Sequence, residues 1–157
     1  MKVFITRRIP PIAREILSQK YEVSESIKNE PYPPDQLPYL IENYDILLTT
    51  ITERFDKKLL GLKGRLKLIS NFAVGLDNID VEYANSRGIA VYNTPDIVTN
   101  STADLTIALL LALIRKISFA AKYVQEDKWK AWDPELFLGE ELTGKTFGII
   151  GFGKIGR

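Results

Sequence analysis

Cysteine and histidine are both absent from this chain of 157 residues. Without cysteine there is no disulfide and no thiolate chemistry. Without histidine the chain lacks the commonest general base and the commonest metal ligand. We therefore assign no metal site and no catalytic residue on composition.

The chain also lacks an excess of charge and a long hydrophobic run. It has 21 basic and 20 acidic residues, a net charge of +1, which gives no reason to expect nucleic acid or an anionic membrane as a partner. The longest apolar run, Leu105 to Ile114, is broken only by Thr106 and is too short to cross a bilayer. Prolines and charges come too early for a signal peptide, so we expect a soluble, cytoplasmic protein.

Short apolar runs alternate with amphipathic segments through the first hundred residues. This alternation predicts an α/β fold with a parallel, doubly wound sheet. The predicted strands are Val3–Thr6, Tyr21–Ser26, Tyr44–Thr50, Leu66–Phe72 and Ile89–Tyr92. The predicted helices lie near residues 11–17, 37–41, 55–62 and 81–86.

The second part of the chain predicts one long helix and one strand. Asn100 or Ser101 could cap the start of the helix. From Ala103 to about Tyr123 the pattern is apolar nearly all round, which predicts a helix buried on most sides, as between two domains. A turn at residues 143–145 then leads into a predicted strand at residues 146–150.

The last residues form a G-x-G-x-x-G loop directly after that predicted strand. Gly151, Gly153 and Gly156 are the three glycines. Such a loop allows a tight turn and close approach of a dinucleotide pyrophosphate, and a helix should follow it. The chain ends at Arg157, so we expect only the first edge of a cofactor site. A tight turn without a ligand is the alternative interpretation.

A second candidate site follows the fourth predicted strand, in the segment Asn71–Asp80. Ligands of open α/β sheets bind outside the carboxyl ends of the strands. Gly75 could present backbone N–H groups to an anion such as a carboxylate. Asp77 and Asn78 could turn the backbone or cap the next helix, so a plain strand-to-helix turn stays an open alternative.

A group of aromatic residues near the end of the chain has a plainer interpretation. Trp129, Trp132 and Phe137 lie among charged residues and could cover a subunit partner or fill a core. We expect core or interdomain packing, which is the commoner use of large aromatic side chains.

Taken together, these motifs resemble the N-terminal half of the D-isomer-specific 2-hydroxyacid dehydrogenase family. The resemblance is greatest to its archaeal glyoxylate reductase and hydroxypyruvate reductase branch, and it covers essentially the whole chain. Asp104 stands where much of the family has glutamate. The matching segments are residues 3–7, 71–80, 87–89, 93–96, 102–105 and 144–151.

The resemblance implies a two-domain enzyme. Residues 1–95 would form a flavodoxin-like substrate domain, and residues 96–157 the start of a Rossmann-type NAD(P)-binding domain that is truncated at the glycine-rich loop. The partner would be a small 2-keto or 2-hydroxy acid, the cofactor NAD or NADP, and the full-length form a homodimer.

The resemblance also implies roles for individual residues. The backbone N–H groups of Val74 and Gly75 would hold the substrate carboxylate, and Ile51 would line the substrate pocket. The cofactor-binding positions would be Thr102, Gly151, Gly153, Lys154, Ile155 and Gly156.

In the family, hydride transfer from NADH or NADPH reduces a 2-keto acid. An arginine polarises the substrate, and a histidine assisted by a glutamate delivers the proton. All three lie beyond the glycine loop in the family, so we expect this chain to be inactive alone. Two alternatives stay open: a phosphoglycerate dehydrogenase-like enzyme, and a non-catalytic ligand-binding or partner protein built on this scaffold.

Overall fold

The computed structural model describes residues 1–157 and divides the chain into two compact units, Met1–Ile97 and Val98–Arg157. The N-terminal unit contains five strands and four α-helices. Its strands are β1 (Lys2–Ile5), β2 (Glu22–Glu25), β3 (Ile46–Thr49), β4 (Leu68–Asn71) and β5 (Ala90–Tyr92). Its helices are α1 (Pro11–Ser18), α2 (Leu37–Asn43), α3 (Lys57–Leu60) and α4 (Val81–Ser86), with a 3₁₀ turn at Pro34–Gln36.

The five strands form one parallel sheet in the order β2-β1-β3-β4-β5. This is the strand order of flavodoxin-like folds. The predicted fold class is therefore confirmed, and each predicted strand of the first hundred residues has its counterpart.

The three central strands β1, β3 and β4 each bury apolar side chains. Val3, Leu47 and Ile69 have no exposed surface. The helices above them contribute further buried side chains, among them Leu40 of α2 and Leu60 of α3. The hydrophobic core therefore lies around β1, β3 and β4.

Aspartates begin two of the helices. The carboxylate of Asp56 accepts a hydrogen bond from Leu59 N at 2.8 Å, and that of Asp80 accepts one from Tyr83 N at 3.0 Å. Each carboxylate satisfies a backbone donor that the first helical turn leaves unpaired. These caps set where the chain leaves the loops that follow β3 and β4.

The long apolar helix is in fact two helices, α5 (Thr99–Ile114) and α6 (Ile117–Gln125). Lys116 breaks the run in the left-handed conformation, with φ of 53°. The physical cause lies far along the chain: Glu140 N donates to the carbonyl of Ile114 at 3.0 Å, and a side chain on Gly139 would collide with that carbonyl. No periodicity within the helix could reveal this cap.

Two further expectations for this segment are wrong. Neither Asn100 nor Ser101 caps the helix, because α5 begins one to two residues earlier, after Val98, and Ser101 Oγ donates back to Val98 O at 3.1 Å. None of the side chains of α5 or α6 is buried, since no other element of the C-terminal unit encloses these helices. No helix of the structure is long and apolar enough to cross a membrane.

Residues 146–150 do not form the predicted strand. A strand needs a neighbouring strand for its backbone hydrogen bonds, and the C-terminal unit contains no other strand. Ile150 is fully exposed. The preceding turn is present, with Lys145 N donating to Leu142 O at 2.9 Å and Gly144 at φ of 74°.

Candidate functional site

A cleft of about 470 Å³ lies at the carboxyl ends of β3 and β4. In open α/β sheets this edge is where ligands bind, because the loops after neighbouring strands diverge there. Two predicted substrate residues, Ile51 and Gly75, line it. The other lining residues are Thr52, Arg54, Asp77 and Asn78. Val74 is not part of the wall, although it adjoins Gly75.

The loop after β4 is held by its carbonyl groups. Thr94 N donates to Ala73 O at 2.9 Å, and Asn93 Nδ2 donates to Val74 O at 2.7 Å. Asn71 Nδ2 donates to the carbonyl of Gly75 at 3.0 Å. Three successive carbonyls are therefore occupied by donors from the chain itself.

The N–H groups of Val74 and Gly75 donate no hydrogen bond within the chain. A backbone segment with occupied carbonyls and free N–H groups presents positive partial charge, which suits an anion. Gly75 has ordinary backbone dihedrals, and a Cβ there would touch only Asp77 Oδ2, at 3.4 Å. Backbone strain therefore does not require glycine here, whereas approach of a ligand would.

Asn78 ties the loops after β3 and β4 together. Its Nδ2 donates to the carbonyls of Thr50 at 3.1 Å and Glu53 at 2.8 Å, and its Oδ1 accepts from Asn71 at 3.1 Å. Thr49 Oγ1 donates to Asn71 Oδ1 at 3.0 Å to complete the chain of bonds. Asp77 and Asn78 also turn the backbone, while the cap of α4 is Asp80.

Glu53 is a buried carboxylate behind the cleft wall, with 2% of its surface exposed. Its oxygens accept from Thr50 N at 2.8 Å, Thr50 Oγ1 at 3.1 Å, Thr52 Oγ1 at 2.9 Å and Tyr32 N at 3.3 Å. Burial raises the pKa of Glu53, but these donors together outweigh it and hold the pKa below its ordinary value. An ionised carboxylate therefore fixes the loop that carries Ile51 and Arg54.

The three glycines of the glycine-rich loop in the C-terminal unit differ in their backbone conformation and surroundings. Gly151 has φ of 93°, which a side chain disfavours. A Cβ on Gly156 would lie 2.3 Å from the carbonyl oxygen of Gly151, so the turn closes only without one. Gly153 faces open space, which leaves its backbone accessible. These are the tight turn, the close packing and the accessible backbone of a pyrophosphate loop.

A cleft of about 590 Å³ lies beside this loop within the C-terminal unit. Its walls come from α5, through Ala103, Thr106 and Ile107, and from residues 147–151 and 155–157. Three of the predicted cofactor-binding residues, Thr102, Gly153 and Lys154, do not line it. The cleft and the three glycines fit a dinucleotide, and the cofactor roles of the individual residues stay predictions.

Three residues that line or support the cleft were not predicted as site residues: Glu53, Arg54 and Asn93. Glu53 lies among Thr49, Thr50 and Thr52 at the end of a strand, a signal that could have identified it. Asn93 lies in the matching segment 93–96, but its sequence context did not indicate a bond to the loop after β4. No pattern marked Arg54, which looks like any other exposed cation.

The aromatic residues do not form a core. Trp132 is 80% exposed, and Trp129 is also exposed. Phe137 packs edge-on against Tyr123, with ring centroids 5.3 Å apart. The expectation that the tryptophans fill a core is therefore wrong for the C-terminal unit, because no element of that unit covers them.

Sequence comparison finds a family profile and many relatives. The profile of the D-isomer specific 2-hydroxyacid dehydrogenase catalytic domain matches residues 3–149. A glyoxylate reductase of Pyrococcus furiosus is 46% identical over 160 residues, and one of Aeropyrum pernix is 43% identical over 159 residues. Each match covers 99% of this chain and 48% of the relative. The chain thus spans about half the length of these curated relatives.

Solved protein structures are also similar to this chain. The TT0316 protein of Thermus thermophilus is 38% identical, with a TM-score of 0.88, over 99% of this chain and 50% of that protein. An NADPH-dependent glyoxylate/hydroxypyruvate reductase of Sinorhizobium meliloti, solved with NADP and malonate, is 26% identical, with a TM-score of 0.71. That match covers 99% of this chain and 47% of the reductase.

Proposed function

Because the chain belongs to the D-isomer specific 2-hydroxyacid dehydrogenase family, we propose that it forms the substrate-binding part, and the first edge of the cofactor site, of an NAD(P)H-dependent 2-keto acid reductase. The substrate is of the glyoxylate or hydroxypyruvate type. The observation that carries this function is the loop after β4. Its carbonyls are occupied and its Val74 and Gly75 N–H groups are free, as a carboxylate site requires.

Each site residue has a role in this proposal. Val74 and Gly75 donate to the substrate carboxylate, and Ile51 supplies an apolar wall. Residues 1–95 act as the substrate domain and residues 96–157 as the start of the nucleotide domain. Thr102 and the loop residues Gly151, Gly153, Lys154, Ile155 and Gly156 contact the cofactor. The geometry of the three glycines and the adjoining cleft support the cofactor role.

The cofactor, NADH or NADPH, supplies the hydride, and the chain's own residues bind and orient the substrate. The chain has no histidine to deliver a proton near neutral pH. We therefore propose that the 157 residues alone do not catalyse the reaction. From the resemblance to the family, we also propose that the full-length enzyme is a cytoplasmic homodimer.

Oxidation of NADH and NADPH by this chain, and by a form extended to the length of its relatives, tests the activity. Glyoxylate, hydroxypyruvate and phosphohydroxypyruvate should be compared. We expect turnover only in the extended form. Robust turnover by the 157-residue chain would disprove its inactivity, and failure of the extended form on every 2-keto acid would disprove the reductase. A strong preference for the phosphorylated acid would favour a phosphoglycerate dehydrogenase-like enzyme.

Binding can be tested on the chain itself. Glyoxylate should shift the amide resonances of Val74 and Gly75. Gly75→Ala should fold normally, since the added methyl meets only Asp77, yet weaken glyoxylate binding about tenfold by narrowing access to the N–H groups. Gly148→Ala is the matched control, because its Cβ meets nothing within 4 Å and lies in the other unit. Equal binding by both variants would remove the carboxylate role of this loop.

A further inference from the structure

Arg54 brings a cation to the wall of the substrate cleft. It lines the cleft together with Ile51, Gly75 and Asn78. Its side chain is exposed and forms no ion pair within the chain. Arg65, by contrast, is paired with buried Asp45 at 3.1 Å. The positive charge of Arg54 is therefore available to a ligand.

The backbone at Arg54 is rigid because its two neighbours in sequence are buried. Glu53 is 2% exposed and held by four hydrogen bonds, and Phe55 has no exposed surface. Phe55 N donates to Asn78 O at 2.8 Å, and Asp80 N donates to Phe55 O at 2.9 Å. Only the Arg54 side chain would need to become ordered when a ligand binds, which limits the entropic cost.

Two acidic side chains lie near the position proposed for the substrate carboxylate, and Arg54 can offset their negative charge. Asp77 is the one acidic residue in the cleft wall, and its Oδ2 lies 3.4 Å from where a Cβ on Gly75 would be. A substrate carboxylate at Gly75 therefore meets a like charge nearby, which weakens binding. The Glu53 carboxylate adds negative charge behind the wall. Arg54 is the one cation among the lining residues that can offset these charges.

The cleft has room for a larger acid than glyoxylate. Its volume of about 470 Å³ falls within the range of roughly 300–1,000 Å³ that is usual for small-molecule sites. A two-carbon acid bound at Gly75 would leave much of that space to water. A guanidinium suits a second carboxylate because its fork of N–H donors matches the two oxygens.

We propose that Arg54 determines specificity by binding a second carboxylate, so that the cleft prefers dicarboxylic 2-oxo acids over monocarboxylic ones. This proposal rests on the proposed function of the same cleft. It revises one part of that function: the preferred substrate is a dicarboxylic 2-oxo acid instead of an acid of the glyoxylate or hydroxypyruvate type, and Arg54 is the residue that selects it. The first carboxylate lies at the Val74 and Gly75 N–H groups, and the second lies at Arg54.

Malonate and acetate are matched probes, since they differ by one carboxylate. Amide resonances of the 157-residue chain should be followed as each probe is added, for the parent chain and for Arg54→Gln, Arg54→Lys and the control Arg87→Gln. Arg87 is exposed and does not line this cleft. Preserved spectra outside the cleft establish that each variant is folded.

We expect malonate to bind the parent chain about tenfold more tightly than acetate. Arg54→Gln should remove most of that preference while leaving acetate within about twofold, Arg54→Lys should keep part of it, and Arg87→Gln should keep all of it. A purely structural role for Arg54 would weaken both probes alike, so the ratio is the decisive quantity.

Two outcomes would overturn the proposal, and they can be told apart. If acetate shifts the Gly75 amide and malonate has no advantage, the second carboxylate site is wrong while the proposed function stands. If neither probe shifts the Gly75 amide of the parent chain, the specificity proposal falls together with the substrate site on which it rests.

Discussion

The two units of the chain differ in whether their apolar side chains are buried. Every buried side chain lies within residues 1–97, and none lies within residues 98–157. Ile69 of β4 has no exposed surface, whereas Leu109 of α5 is 61% exposed. Apolar content is high in both segments. Hydrophobic composition alone therefore does not make a core; it needs elements that enclose one another.

The sheet accounts for the difference. Helices α2, α3 and α4 of the N-terminal unit pack on one face of the sheet, where Leu40, Leu60 and Ala84 are buried with Leu47 and Ile69. A helix that is apolar all round has no polar face for solvent and can be buried only by several neighbours. The C-terminal unit contains α5 and α6 but no strand, so its leucines lack such neighbours. Four substitutions test this contrast, from the largest expected effect to the smallest.

Ile69→Ala should destabilise the N-terminal unit most. Removing a fully buried side chain from a central strand loses transfer free energy and leaves a cavity, at a cost of about 2–5 kcal/mol. Leu109→Ala, the matched change in α5, should alter stability by less than about 0.5 kcal/mol. Urea unfolding measures both, followed through amide resonances of β1, β3 and β4 for the first variant and of α5 for the second. Equal losses of unfolding free energy in the two variants would mean that the two units are equally well packed.

Glu53→Gln tests the polar support of the cleft. Glutamine puts an NH₂ group among donors that now meet carboxylate oxygen, so at least one buried donor loses its partner, at a cost of about 1–3 kcal/mol. Glu42→Gln at an exposed position is the control and should be nearly neutral. The same urea experiment measures both, and Gly75 amide shifts report whether the cleft moves. A neutral Glu53→Gln would show that the loop needs no ionised carboxylate.

Asp45→Asn tests the opposite end of the sheet. The hydrogen bond from Lys2 N at 2.7 Å chiefly lowers the pKa of Asp45, and the Arg65 guanidinium adds to this against the opposing effect of burial. Its ionised form should stabilise the fold above the ordinary pKa of 3.8 and lose that contribution as pH falls through the lower folded-state pKa.

We expect Asp45→Asn to lower the free energy of unfolding by about 1 kcal/mol at neutral pH. The effect is no larger because the partners Arg65 and Lys67 are partly exposed, so that solvent screens their charges. Urea midpoints of the parent and the variant should converge in acid. A difference that stays constant with pH would exclude the charge of Asp45 as the cause.

Lys116→Gly should have the smallest effect and the opposite sign. Glycine accepts a φ of 53° without the steric penalty that lysine has, so the break between α5 and α6 should be stabilised by up to about 1 kcal/mol. Arg115→Gly, next to it but with φ of −93°, should be destabilising instead. Amide exchange of α5 and α6 distinguishes them. Faster exchange in Lys116→Gly would contradict the left-handed break.

Local patterns predicted the elements whose partners lie within the same unit. The apolar run around Leu47 became β3, and the predicted helix near residues 81–86 became α4, since these signals depend on neighbouring residues. The helix break at Lys116 was missed because Glu140, a distant residue, caps it. The strand at 146–150 was wrong because strand pairing needs a second segment, which no local pattern guarantees.

The candidate site divides in the same way. Gly75 was predicted because it follows the fourth predicted strand, and the loop of Gly151, Gly153 and Gly156 was predicted because its glycine spacing is visible in the sequence. Asn93 was not predicted as a site residue, since its hydrogen bond to the Val74 carbonyl joins residues 19 positions apart. Glu53 and Asn78 likewise act through contacts between two loops.

The sequence by itself determined the α/β class, the strands of the first unit and the family, because apolar periodicity, glycine spacing and motif order are properties of the chain read in one dimension. Only the tertiary structure decided which N–H groups stay free at Gly75, which carboxylate is buried at Glu53 and where Arg54 lies. Those outcomes depend on hydrogen bonds and packing between residues far apart in the chain, which no local pattern encodes.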